Sequence, residues 1–126
     1  MELPKNEDVF VLDHVGATTG RRHEGTFTVR CVLSIAQRHA MELEKTRLLG
    51  NYSAPSDELF GIALVLSTLR AKISDGPEWW KQGLGADLLD EDVLTAMYEQ
   101  VKEAEKKWRQ NLQDRAKAAI PAAPQS

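Results

Sequence analysis

From Ser56 to Ile73 the chain reads as one helix with apolar side chains on nearly every side. Leu59, Phe60, Ile62, Ala63, Leu64, Val65, Leu66, Leu69 and Ile73 wrap most of its circumference, and only Gly61, Thr68 and Lys72 make a thin polar strip. A helix this apolar belongs at the centre of a fold, covered by other elements. It is too short and too interrupted to span a membrane, which takes roughly 20 predominantly apolar residues. Ser56 is its expected cap, and Asp57 and Glu58 suit the positive first turn. Ser74-Asp75-Gly76-Pro77 ends it.

The rest of the chain supplies the cover. Residues 1–8 read as a disordered polar lead, and Val9-Phe10-Val11-Leu12 suits a short strand. Residues 13–25 hold Gly16, Gly20 and Gly25 among Thr, Arg and His, which is loop chemistry. In Thr26–Cys31 polar and apolar residues alternate, so Phe27, Val29, Cys31 and Leu33 share one face of a half-buried strand. A hairpin of two strands is marginal alone and should pack on helices. Ser34-Ile35-Ala36-Gln37 matches a capping box, opening a helix that Gly50-Asn51 stops. Its expected core-facing arc is Ile35, Ala36, His39, Ala40 and Leu43, with His39 hydrogen-bonded in the core. Met41 and Leu48 fall on the opposite side, covered by another element or exposed.

A third helix is expected from about Asp90 to Arg115, with acidic residues at its start and basic ones near its end, both favourable to the macrodipole. At ~1.5 Å per residue it spans ~39 Å. A compact chain of this length has a diameter near ~36 Å. Trp108 and Leu112, on its last turns, are therefore placed to meet a partner. Between the two helices stands Pro77-Glu78-Trp79-Trp80. Each Trp buried removes roughly 150–250 Å² from water, and adjacent rings in a turn do not easily both point inward. The expected architecture is α+β, mostly α: an N-terminal β-hairpin packed on about three helices, the last one long. Residues 9–115 form the single α-rich domain, and 116–126, with Pro121 and Pro124, form a disordered tail.

Chemistry is hard to find in this pattern. Of 126 residues, 42% are hydrophobic and 28% charged, and the net charge of -3 argues against a large basic footprint for nucleic acid. The single Cys31 forms no internal disulfide and reads as a buried, inert thiol. There is no secretory signal at the start of the chain, so a soluble, intracellular protein is expected. No nucleophile elbow, zinc-helix motif or phosphate loop is present. His14 and His23 flank the Gly-rich segment near Asp13 and Glu24, but two His fall short of the four ligands zinc wants. Asp90, Glu91 and Asp92 are explained as helix-start charges. No catalytic residue, metal site or cofactor is expected, and the chain reads as a non-enzyme. The candidate partner-binding residues are Trp79, Trp80, Trp108, Leu112, Met41 and Leu48.

One order of motifs stands out. Glu24-Gly25-Thr26-Phe27-Thr28-Val29-Arg30 leads into a capped helix and then an apolar central helix. Next come Gly76-Pro77-Glu78-Trp79-Trp80, then Gly85-Ala86-Asp87-Leu88-Leu89-Asp90-Glu91-Asp92-Val93-Leu94, and a charged helix with Glu105 and Trp108. Over about residues 8–112 this order resembles the tail assembly chaperones of long-tailed bacteriophages. The resemblance implies a non-enzymatic protein that binds the tape-measure protein, helps recruit tail-tube subunits around it, acts in the host cytoplasm and leaves before the tail is complete. It also implies that a ribosomal frameshift can make a longer product. Two other classes fit the residues. One is a structural virion protein, a head–tail connector or capsid decoration protein, with residues 13–25 as an assembly arm. The other is a small cytoplasmic nucleic-acid-binding regulator acting through Arg21, Arg22 and Arg30.

Overall fold

The computed structural model describes residues 2–50 and 54–119. The fold is α+β and mostly α. Strands β1 (Asp8–Val15) and β2 (Arg22–Val29) form the hairpin, followed by helices α1 (Ile35–Leu49) and α2 (Asp57–Lys72). A third strand, β3 (Ile73–Asp75), a single helical turn, α3 (Glu78–Lys81), and the long α4 (Glu91–Ala119) complete the order. The sheet is antiparallel in the order β1-β2-β3.

The helix signals are realised atom by atom. The Ser34 hydroxyl accepts from the Gln37 N–H, and the Gln37 amide oxygen accepts from the Ser34 N–H. Gly50, at φ 66°, closes α1 and donates to the Thr46 and Arg47 carbonyls. Ser56 caps α2 by accepting from the Leu59 N–H. Three boundaries differ from expectation. The hairpin takes up most of residues 13–25: Arg22 of β2 pairs across it with Asp13 of β1, and His14 lies opposite His23. Chain leaving α2 adds β3 to the sheet instead of only turning. Helix α4 continues to Ala119, four residues beyond Arg115; the remainder of the expected tail, 120–126, lies outside the described residues.

Glycines misled the reading of the hairpin because two of them serve close approach. A Cβ on Gly16 would lie 2.1 Å from the Asp90 carboxyl carbon, and one on Gly25 would lie 2.4 Å from the Pro77 ring. Through Gly16 the hairpin turn closes over the start of α4. The Asp90 carboxylate, 1% exposed, accepts from the Thr18 and Thr19 N–H groups and from the Thr19 hydroxyl. Asp92 accepts from the Ala17 N–H and pairs with His14 Nε2 at 2.6 Å. Both carboxyls are held below the usual range, Asp90 chiefly by the Thr19 hydroxyl and Asp92 chiefly by His14. These carboxylates were expected only as helix-start charges; they also lock the hairpin onto α4.

The core is one cluster running from Phe10, Leu12, Phe27 and Val29 through Leu66 and Leu69 to Val93, Met97 and Val101. Phe27 is its pivot. It stacks on Phe10 with centroids 4.9 Å apart and meets Trp79 and Trp80 edge-on, arrangements that suit the ring quadrupoles. Residues 2–7, read as a disordered lead, are seated instead. Asn6 exchanges two hydrogen bonds with the Val32 backbone, and Pro4 is buried.

Helix α1 is turned the other way from its expected orientation. Ile35 is 86% exposed and Leu43 59%, and Ala36, His39 and Ala40 face solvent with them. The half-buried side is Gln37, Met41, Glu44, Lys45 and Leu48. None of its residues is fully buried. His39 is thus a surface residue, not a core one. Glu44 on this side pairs with Arg70 of α2 at 2.6 Å and, within α1, with Arg47 at 2.7 Å, while Leu48 packs against the core.

Two glycines give opposite expected outcomes in urea unfolding followed by Trp fluorescence. Gly16→Ala must displace the buried Asp90 carboxylate and should lose about 1–3 kcal/mol of stability. Gly61→Ala, within α2 and with open space where its Cβ would go, should gain about 0.5–1 kcal/mol.

Candidate functional site: a basic groove between the first and last helices

Helices α1 and α4 both pack on α2, and between them lies a cavity of about 720 Å³. Its border runs along α4 from Tyr98 to Gln113. Fifteen helical steps from Tyr98 to Gln113 span ~22 Å, so this is a groove rather than a compact pocket. Thr68 and Lys72 of α2 line its base, and Met41, Val32 and Leu33 give it apolar surface.

The groove is basic although the chain carries a net charge of -3. Five basic side chains line it against one carboxylate, Glu105. Lys72 is the best buried of them: it donates to Glu105 at 2.5 Å and to the Cys31 carbonyl at 3.2 Å. It was read as part of a polar strip, but a Lys stem can cross apolar surface while its ammonium finds oxygen partners. Burial pushes the Glu105 carboxyl up, yet Lys72 and then Arg109 outweigh it, and the net shift is downward. Glu105 therefore stays ionised and is occupied by its two cations. Arg38 on the α1 wall and Lys102 and Lys106 on the α4 wall pair with no carboxylate among the described residues. Lys102 lies 5.4 Å from the centre of the Tyr98 ring.

Of the six expected partner residues only Met41 lines this groove. Trp80 is 2% exposed and is core, not contact surface. Trp79 is half-buried on the hairpin: its Nε1–H donates to the Glu24 carbonyl at 2.8 Å, and its ring meets His23 and Phe27 edge-on. Trp108 is taken by the chain itself, donating to the Pro4 carbonyl at 3.3 Å. Leu112 is half-buried one turn further on, and Leu48 packs against the core from α1. Helix α4 outruns the core. At 29 residues α4 is ~44 Å long, and Ala104 is its last buried residue. The N-terminal lead meets that overhang, with Arg115 donating to the Glu2 carbonyl.

Other candidates have local partners. Arg22 pairs with Asp13 and Glu24, and Arg30 donates to the Ala71 carbonyl, which breaks up the expected Arg21-Arg22-Arg30 patch. His14 is bound to Asp92, and His23 Nδ1 is buried with no hydrogen-bond partner among the described residues. No group of three or more His, Cys, Asp or Glu that could hold a metal lies among the described residues. The Cys31 thiol is buried, which pushes its pKa up. No described helix is long and apolar enough to cross a membrane. The basic groove was missed because its residues come from α1, α2, α4 and the segment after β2. The one local signal was Lys102 and Lys106 at i,i+4.

Comparison with protein-family models finds no matching family, and comparison with curated proteins and solved structures finds no similar chain.

The α1 wall of the groove is tied to α2 through Glu44, so the tie should weaken in acid. Arg47 first, and Arg70 with it, hold the Glu44 carboxyl down to about 2 from 4.5. The folded chain binds this proton less tightly than the unfolded one, so the contribution is complete above pH 4.5 and fades as pH falls toward about 2. Stability measured against pH should show Glu44→Gln losing more at neutral pH than at the acid end of this window. A constant loss across it would contradict the Glu44 assignment.

Proposed function

We propose that this protein is a non-enzymatic assembly chaperone that holds a segment of a long helical partner, the tape-measure protein of a long-tailed bacteriophage, and helps recruit tail-tube subunits to it. It acts in the host cytoplasm and is absent from the mature virion. The observation that carries the reading is the groove between α1 and α4. It is long, partly apolar and based on α2, which suits a helix-in-groove mode of recognition. The order of motifs from the Gly25 strand through the Trp pair to the charged last helix supports the phage assignment. The structural-virion reading drew on residues 13–25 as an arm ordered by a neighbour. That segment is a hairpin closed within the chain by Asp90 and Asp92, and nothing else favours that class.

Co-expression tests this. A fragment of the tape-measure protein produced with this chain should gain soluble yield. Met41→Asp in the groove should reduce the gain, while Trp108→Phe, on the lead side of α4, should leave it unchanged. Soluble yield indifferent to the presence of this protein would overturn the reading.

A further inference from the structure

We propose that the groove between α1 and α4 takes an amphipathic helix whose apolar stripe is flanked by acidic side chains. The inference rests on reading the groove as a partner site but not on the phage assignment.

Charge on the two walls selects the sign of the partner. Arg38 on α1 faces the groove from one side, and Lys102 and Lys106, one turn apart on α4, face it from the other. None of the three has a carboxylate partner among the described residues. The groove's own carboxylate, Glu105, is committed to Lys72 and Arg109. A ligand with carboxylates on both edges would therefore meet unpaired cations on both walls, which gives orientation and discrimination more than raw affinity.

The base of the groove selects the body of the partner. Met41 on α1 and Val32 and Leu33 after β2 line the cavity half-buried, so each keeps apolar surface that a partner can cover. Met adapts to varied apolar shapes, which suits a docking surface. An apolar stripe can bury these residues, and ~22 Å of groove accommodates about four helical turns. Nucleic acid fits less well: Tyr98 is the one aromatic lining residue, and its ring is already beside Lys102, so there is no stacking ladder for bases.

Synthetic peptides and the full-length protein test the proposal. The probe is a labelled helix of about 15 residues with a Leu stripe flanked by Glu, compared with a copy in which every Glu is Lys. By fluorescence anisotropy the Glu peptide should bind at least about tenfold more tightly, with the margin shrinking as salt rises. The double variant Lys102→Glu/Lys106→Glu, and separately Arg38→Glu, should lose that preference. The double variant should come to favour the Lys peptide, a gain that unfolding could not produce. Backbone amide shifts on adding the Glu peptide should concentrate on α1 and α4 around the groove. Equal affinity for the two peptides, binding of neither, a preference untouched by charge reversal, or amide shifts elsewhere would each overturn it. So would tighter binding of a single-stranded oligonucleotide than of the Glu peptide. If the peptide result holds while tape-measure fragments stay insoluble, the phage assignment falls and the groove specificity stands.

Discussion

Helix α2 carries apolar side chains around most of its circumference, and each neighbour covers one sector of it. Helix α1 packs along one side and α4 along another, and the sheet joins the same core through Val29, Phe27 and β3. These elements do not close the ring. Leu64 and Val65 stay half-buried, Phe60 is 44% exposed, and the space between α1 and α4 is left as a groove. Covering apolar surface is the main favourable term in folding, and in the groove that surface comes from Met41, Val32 and Leu33, since the α2 residues at its base are Thr68 and Lys72.

Polar contacts decide where the covering elements sit. The hairpin is fixed to α4 by N–H groups of its turn converging on Asp90 and Asp92, which sets the start of the long helix beside β1. Helix α1 is tied to α2 by the Glu44–Arg70 pair and by Leu48 against the core, not by burial of its expected arc. The Lys72–Glu105 pair ties the end of α2 to the middle of α4 at the base of the groove. The resulting arrangement leaves apolar residues on the surface: Ile35 and Leu43 on α1, and Val9, Val11 and Val15 on β1.

Local grammar was legible in the chain. Ser34 with Gln37, Ser56, and the acidic start of α4 are signals within one turn of sequence, and the structure contains each. The inward face of β2 was legible for the same reason, since period-2 alternation places Phe27, Val29 and Cys31 together. The candidate site was not legible. Trp79, Trp80 and Trp108 drew attention as large rings, and the chain satisfies all three internally with Phe27, the Glu24 carbonyl and the Pro4 carbonyl. The residues that make the groove are mostly charged residues, ordinary on any helix surface.

By itself, the sequence determined the helices and their caps, the central place of α2, the two strands and the mostly helical class, because each depends on propensity, periodicity or a hydrogen bond between near neighbours. Only the tertiary structure decided which side of α1 faces inward, that Gly16 and Gly25 make room for Asp90 and Pro77, and that Arg38, Lys72, Lys102 and Glu105 meet around one groove. Those outcomes depend on contacts between residues tens of positions apart, where a single ion pair or the room for a ring outweighs the local pattern.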